Sequence, residues 1–294
     1  MGDQIKVSIC IPVYKNADFL IRCVNSILMQ DYFLYEIIIT DDSPDDQLHF
    51  ISKYDDRILY FKNDVQLGSP KNWNKAISLA HGEYIKIMHQ DDYFSSSTSL
   101  SQFVQSLEDN KNSIFTFSAC QDIGDKLIID RPIQYKKISR FKKNPYYLLY
   151  DNCIGAPSVL MYRRNNQLSF DENLVWLVDI DFYIRLLLIN ANVSTIHEKL
   201  ISIGISQYQI TSKCIDNVGL ILHEYAYIYK KYHNNVTRRI LLFQFSKYNV
   251  YNESRILHYG LNFNLTKIDF LFILLFKLYQ ISIFLLKKLK RIFF

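Results

Sequence analysis

The residues in this chain that could do chemistry are carboxylates that close apolar runs. Glu83-Tyr84-Ile85-Lys86-Ile87-Met88-His89-Gln90-Asp91-Asp92 begins as a segment able to form a buried strand and stops at two adjacent aspartates. Glu36-Ile37-Ile38-Ile39-Thr40 stops in the same way at Asp41-Asp42. In an open α/β sheet, ligands sit outside the carboxyl ends of the strands, so acids there stand where a reaction would take place. Adjacent carboxylates suit a hard divalent cation such as Mg²⁺ or Mn²⁺, which takes oxygen ligands and bridges to phosphates. The competing reading of Asp91-Asp92 is a solvated strand-to-helix turn, with Asp92 or a following serine capping a helix. Two further acids, Asp179 and Asp181, enter the apolar stretch Phe182 to Ile189. Acids near a helix N-terminus are favoured electrostatically, whereas a desolvated carboxylate beside Trp176 would suit a general base.

These acids need a scaffold, and the hydrophobic pattern predicts one. Val7 to Pro12 reads as a first buried strand, and apolar positions at helical spacing predict a helix from Ala17 to Gln30. After the strand Glu36 to Thr40 come a short helix over Asp46 to Lys53, a strand over Ile58 to Lys62 and a helix over Lys71 to Ala80. That β-α alternation argues for a parallel, doubly wound sheet. A helix is expected from Ser96 to Leu107, strands at Ile114 to Ser118 and Ser158 to Tyr162, and helices over Val218 to Tyr232 and Arg239 to Lys247.

Composition narrows the function. With 294 residues, 49% of them apolar, the chain has ample material for one large α/β domain and an appendage. The excess of 34 basic over 29 acidic side chains is too small by itself to imply nucleic acid. Five scattered cysteines without a CxxC pair point to neither a disulfide framework nor a zinc site, and they fit a reducing compartment. Only 8 glycines are present, and no GxGxxG or GxxxxGK[ST] loop occurs, which weighs against dehydrogenases and P-loop enzymes. The first residues lack a signal-peptide pattern, so secretion is not expected.

Two segments carry positive charge. Lys136 to Lys143 interleaves basic and aromatic residues; it could face an anionic acceptor or a membrane, or be a solvated loop. Phe270 to Leu286 is almost wholly apolar and runs into Lys287-Lys288-Leu289-Lys290-Arg291. On a helical wheel Asp269, Lys277, Gln280, Lys287, Lys288 and Arg291 fall in one arc, which favours a helix lying in a bilayer interface. A spanning helix would set Lys277 near mid-membrane at about 2.5–3.5 kcal/mol. A helix buried against a partner subunit is the soluble alternative.

Taken in order, Val7 to Asn16, Cys23 to Gln30, Glu36 to Ser43, Gly82-Glu83-Tyr84 and His89-Gln90-Asp91-Asp92 form a specific series. It resembles the family-2 inverting glycosyltransferases of the GT-A fold, over roughly the first 215 residues and most strongly up to Asp92. The resemblance implies a Rossmann-like, mostly parallel sheet with flanking helices, followed by a helical C-terminal region. It implies a nucleotide pocket lined by Pro12, Val13 and Tyr14, with Asp42 accepting a hydrogen bond from a uracil or thymine ring. Lys71 or Asn72, within the segment Gly68 to Asn74, would approach the donor. Asp91 corresponds to the last aspartate of the DxD metal motif and would hold Mn²⁺ or Mg²⁺, with Asp92 secondary and Gln90 beside it at the donor. Asp179 corresponds to the aspartate of the Glu-Asp catalytic pair and is the expected base. The chain departs from the pattern at His89, at Val178 and at Ser206, where Ser206 to Thr211 otherwise resembles a His-x-x-Gln-x-Thr segment.

The activity so implied is metal-dependent transfer of a sugar from a UDP- or dTDP-linked donor, with inversion. The expected acceptor is a polyprenyl-linked glycan in O-antigen, capsule or exopolysaccharide assembly, and the expected location is cytoplasmic, peripheral on the inner face of the membrane. Residues 1–215 would form the transferase domain, 216–266 a helical extension and 267–294 the membrane-directed tail. Two alternatives stay open: a transferase acting on protein or another soluble acceptor, and a non-catalytic nucleotide-sugar-binding subunit.

Overall fold

Seven consecutive buried residues form β1 (Val7–Val13), and seven more form β2 (Tyr35–Asp41). Unbroken apolar runs of this kind are what strands covered on both faces require. Between them lies α1 (Ala17–Leu28), capped by the Asn16 side chain, which accepts from the Phe19 N–H. β3 (Ile58–Lys62), α2 (Ser69–Ser78) and β4 (Tyr84–Ile87) follow, and the parallel pairs β2–β3, β1–β2 and β1–β4 give the order β3-β2-β1-β4. The computed structural model describes residues 4–124, 127–205, 214, 216–250, 252–261 and 263–293.

Beyond β4 the sheet changes character. The remaining elements of this unit are β5 (Tyr93–Phe94), α3 (Ser99–Asp109), β6 (Phe115–Ile123), β7 (Ile128–Arg131), α4 (Tyr135–Lys143), β8 (Leu160–Arg163), α5 (Val178–Ile189) and β9 (Val193–Gly204). β8 pairs antiparallel with both β4 and β6, and β6 runs parallel to β9. Among the described residues nine strands make one sheet. The expected parallel half is therefore present, and antiparallel strands extend it.

Several boundaries differ from the sequence expectation for physical reasons. The helix expected over Asp46 to Lys53 is only a 3₁₀ turn, His49–Lys53. The strand expected from Ser158 begins at Leu160, because Pro157 opens a 3₁₀ turn over Pro157–Val159. Residues 136–143 are not a loop but helix α4, which buries Ile138 and Phe141; its Lys137 pairs with Asp151 and its Arg140 donates to the Tyr147 hydroxyl. The polar stretch of β9 hid a twelve-residue strand whose register with β6 shifts at Ser118 to Cys120.

The chain divides into two compact units, Met1–Gln207 and Tyr208–Phe294. The second is helical: α6 (Val218–Tyr232), α7 (Asn235–Lys247), α8 (Glu253–His258) and α9 (Lys267–Phe293). α7 starts four residues earlier than expected because Asn234 and Thr237 form a capping box. Among the described residues no helix is long and apolar enough to cross a membrane.

At the amino ends of the central strands, Glu36 is buried and accepts from Ser8 Oγ at 2.5 Å and from the His81 N–H at 2.8 Å. Gly82 donates to Ser8 Oγ, and a Cβ on it would lie 2.6 Å from the Ser8 nitrogen. Because that neighbour is backbone, Gly82→Ala is expected to cost roughly 1–3 kcal/mol of stability. Denaturant midpoints at unchanged m-value check this; an unshifted midpoint would show that the β1–β4 junction yields freely.

Candidate active site

The turn after β4 gathers three groups able to ligate a cation. One ligand atom each from His89, Asp91 and Asp92 can be chosen so that all lie within 4.8 Å of one another. His89 donates its backbone N–H to Ser158 Oγ at 3.0 Å, and its ring lies 4.8 Å from that of Trp73. Its Nε2 is buried without a hydrogen-bond partner among the described residues. Burial holds the imidazole below its usual range, against the pull of Asp91, so it stays neutral and fit to ligate. Asp92, 2% exposed, accepts from the Gly204 N–H at 3.1 Å. Burial and the neighbouring Asp91 push its carboxyl well above the ordinary range, although the Ser158 hydroxyl pulls the other way. An unpartnered buried nitrogen beside two crowded carboxylates is a donor set that a divalent cation fits.

Two longer-range contacts fix this turn. Arg22 Nη2 donates to the Asp91 carbonyl at 2.7 Å, with its guanidinium 4.6 Å from the Tyr93 ring centre. The Gln90 amide clasps the backbone of Tyr14, accepting from its N–H at 2.8 Å and donating to its carbonyl at 3.1 Å. Pro12 and Val13 are buried in β1, whereas the Tyr14 side chain is 43% exposed.

The second acidic pair is used differently. Asp41 is buried; burial raises its pKa, but bonds from Ser43, Tyr60 and Lys62 more than offset this and hold it below the usual range. Asp42 accepts from Asn63 Nδ2, the Leu67 N–H and the Gly68 N–H at 2.7 to 2.9 Å. Three of its roughly four lone-pair directions are thus spent on the chain itself. Asn72 is buried, donating to the Thr40 carbonyl and accepting from Asn63, while Lys71 is exposed.

Asp179 lies in the first turn of α5, where the helix dipole favours the ionised form. Its Oδ1 accepts from the Ile180 N–H at 2.8 Å and its Oδ2 from Asn152 Nδ2 at 3.1 Å. Asn152 also exchanges two hydrogen bonds with Gly155, whose carbonyl accepts from the Tyr183 hydroxyl. Asp181 is buried against Arg185 at 2.8 Å, which gives it a structural task. Gly155 and Ser158 are three residues apart, a reach of at most about 11 Å. One short stretch of chain therefore touches both Asp179 and the turn after β4. An aromatic series, His89, Trp73, Phe170 and Phe182, joins the same two regions. The segment Ser206 to Thr211 lies outside the described residues. Asn152, Ser158, Arg22 and Gly204 carry no local motif; for Gly204 an isolated glycine at the end of an apolar run is the only sequence signal.

Residues 8–167 match the profile of Glycosyl transferase family 2. The chain belongs to that family. Among the relatives of this glycosyl transferase family 2 protein is WcaA of Escherichia coli K12, named as a candidate colanic acid biosynthesis glycosyl transferase; it is 28% identical over 266 residues, 86% of this chain and 91% of WcaA. The chain spans only 65% of the length of a curated Mycobacterium tuberculosis relative that it matches at 30% identity. Its fold is the GT-A type. The crystal structure of S. aureus TarS 1–349 with UDP-GlcNAc aligns with a TM-score of 0.65 at 17% identity, covering 85% of this chain and 74% of that one. The mannosyltransferase PcManGT from Pyrobaculum calidifontis, in complex with GDP-Man and Mn²⁺, aligns with a TM-score of 0.58 at 12% identity, covering 95% and 88%.

Gly204 gives a direct test of how the turn is held. A Cβ there would lie 2.4 Å from the Asp91 carbonyl oxygen, so Gly204→Ala is expected to push the turn off β9. The expected outcome is a loss of roughly 1–3 kcal/mol in unfolding free energy together with weaker Mn²⁺ binding. Thermal melts and Mn²⁺ titration read the two effects, and native values in both would exclude this role.

Proposed function

We propose that the chain is a metal-dependent inverting glycosyltransferase that moves a sugar from a nucleoside-diphosphate sugar, of the UDP or dTDP class, to an acceptor hydroxyl. The observation that carries this reading is the cluster of His89, Asp91 and Asp92 at the carboxyl end of β4 in a family-2 fold. Asp91 and His89 would hold Mn²⁺ or Mg²⁺, with Asp92 supporting them; the Mn²⁺ complex of PcManGT favours such an ion. When bound, the ion supplies positive charge against the departing nucleoside diphosphate.

Asp179 is the proposed base. Held by Asn152 and the Ile180 N–H, its carboxylate takes the acceptor proton, and the acceptor oxygen displaces the nucleoside diphosphate in one in-line step, which inverts the anomeric centre. Val178 is buried where the family pattern has a glutamate, so Asp179 would act without that neighbour. Tyr14, exposed after β1 and clasped by Gln90, would stack on a nucleotide base in a pocket lined by Pro12 and Val13, and the solvent-exposed Lys71 would approach the donor. Asp42 would keep one lone-pair direction for the base, and Asn72, whose N–H donates to the Gly68 carbonyl and whose amide holds Thr40, would order the loop that approaches the donor.

The acceptor we infer is a lipid-linked glycan in cell-surface polysaccharide assembly, in keeping with the colanic acid assignment in the name of WcaA. The tail supports work at the inner face of the membrane, with residues 216–266 as a helical extension and 267–294 as the membrane-directed part. In α9 the start of the polar arc packs within the helical unit: Asp269 pairs with Arg238, Lys277 donates to Asn249, and Ile273 beside them is buried. Ile268, Leu271, Leu274, Leu275, Leu278 and Tyr279 are 50 to 66% exposed. That apolar face, followed in sequence by Lys287, Lys288, Lys290 and Arg291, matches an anionic bilayer surface.

Asp179→Asn is expected to lower sugar transfer by 10²-fold or more, while UDP affinity with Mn²⁺ changes less than about twofold, within the effect of a neutral isostere. Steady-state transfer and nucleotide titration measure the two; retained turnover would remove Asp179 as the base, and nucleotide binding without transfer in the wild type would favour a non-catalytic subunit. For the tail, replacing Leu271, Leu275 and Leu278 by Gln should cut co-sedimentation with phosphatidylglycerol vesicles on the order of 10²-fold. Donor hydrolysis in solution should be unchanged, and undiminished vesicle binding would point to a soluble acceptor.

A further inference from the structure

β4 carries a lysine where a buried strand has no need of one. Lys86 is 0% exposed, yet its ammonium donates not to a carboxylate but to two main-chain carbonyls, those of Ser158 and, at 3.3 Å, Leu160. Its Nζ lies 4.2 Å from the centre of the Phe103 ring. Lysine is almost never fully buried unless paired, and burial pulls this one down to about 7 although Asp92 draws it up. Such a costly group needs a reason to be there.

The sheet supplies the reason. The β4–β8 ladder ends at the pair Lys86–Met161, and past it the chain before β8 turns away as the Pro157–Val159 turn. The carbonyl of Ser158, which lies before the first residue of β8, is left to find a partner in a dry interior. Lys86 provides it, and so sets the backbone of Ser158. The Ser158 hydroxyl in turn accepts from the His89 N–H at 3.0 Å and sits close enough to Asp92 to favour its carboxylate form. The series Lys86, Ser158, then His89 with Asp92 runs from the core to the cation-binding turn.

We propose that Lys86 is a positioning residue for the divalent cation: through Ser158 it holds His89 and Asp92 in ligating arrangement. This rests on the reading of His89, Asp91 and Asp92 as the ion site. Groups that orient metal ligands without touching the metal typically change affinity by about 10- to 100-fold when removed. Bare electrostatics predicts the opposite sign for Lys86, because deleting a buried positive charge near two carboxylates should tighten a cation.

The test is Mn²⁺ affinity of the full chain, read from the electron paramagnetic resonance signal of free Mn²⁺. Lys86→Met and Ser158→Ala are each expected to weaken Mn²⁺ binding by about tenfold or more, and the double variant by no more than the worse single, since both act on one linkage. Lys86→Met binding Mn²⁺ as tightly as the wild type or tighter would overturn the proposal, and so would losses that multiply in the double variant. Ser158→Ala keeps the backbone carbonyl and changes one hydroxyl, so it decides the matter even where Lys86→Met does not fold: native Mn²⁺ affinity in Ser158→Ala overturns the linkage. A wild-type chain that binds no Mn²⁺ overturns the ion site itself, and the inference with it.

Discussion

The antiparallel pairing of β8 against β4 stops after three residue pairs, and the site is built around that stop. Up to Lys86 the sheet satisfies its own backbone; past it, two chain segments diverge inside the protein and their polar groups need other partners. The segment leaving β8 answers with side-chain chemistry. Asn152 and Gly155 bond to each other and to α5, while Ser158 bonds to the turn after β4. A sheet that continued its ladder here would have no cleft, and one that opened without these contacts would leave buried carbonyls unpaired. The geometry of the acidic turn follows from how the opening is closed off.

Two aspartate pairs close the two parallel strands that flank β1, yet they face opposite electrostatic problems. Around Asp41 and Asp42 donors are abundant: Tyr60, Lys62, Ser43, Asn63 and two loop N–H groups. That pair is satisfied by the protein and serves to fix the loop carrying Gly68 and α2. Around Asp91 and Asp92 one carboxyl is driven upward by burial and by its neighbour, and a buried histidine nitrogen has no hydrogen-bond partner among the described residues. Crowded buried acid is unfavourable unless a positive charge joins it. The same sequence signal thus gives an anchor at one strand end and crowded carboxylates at the other, and the difference lies in distant partners such as Lys62, 21 residues from Asp41, and Gly204, 112 residues from Asp92.

That distance explains what the sequence made legible. Continuous apolar runs announced β1, β2 and β4, because that signal is local. Nothing local marks Ser158 as the partner of His89, or Asn152 as the partner of Asp179; each is one polar residue in a turn. β9 was hidden because its polar residues Ser194, Thr195, Glu198 and Lys199 break the apolar pattern while the bulge against β6 breaks the alternation. α4 was hidden because only Ile138 and Phe141 of its nine residues are buried, too few for periodicity to stand out among lysines.

The tail helix shows a pattern that was legible with an orientation that was not. A wheel places Asp269, Lys277 and Gln280 on one arc, and for an isolated helix that arc faces water. In the helical unit it is the arc that packs: Asp269 takes two bonds from Arg238 and two from Thr266, so that although burial raises its pKa these bonds hold it below the usual range. Phe276 meets Phe243 edge to face beside it. Rolling α9 to hide its leucines would strand Arg238 and expose Ile273. Breaking a well-bonded, largely buried ion pair costs about 3–5 kcal/mol, whereas each leucine recovers only about 1.5–3 kcal/mol if fully buried. The roll would also turn Ile273 and Phe276 out of their packed positions, so part of any gain from the leucines is lost again. The inward polar arc is therefore what commits the apolar face to the outside, and an outside made of lipid removes the cost of leaving it there.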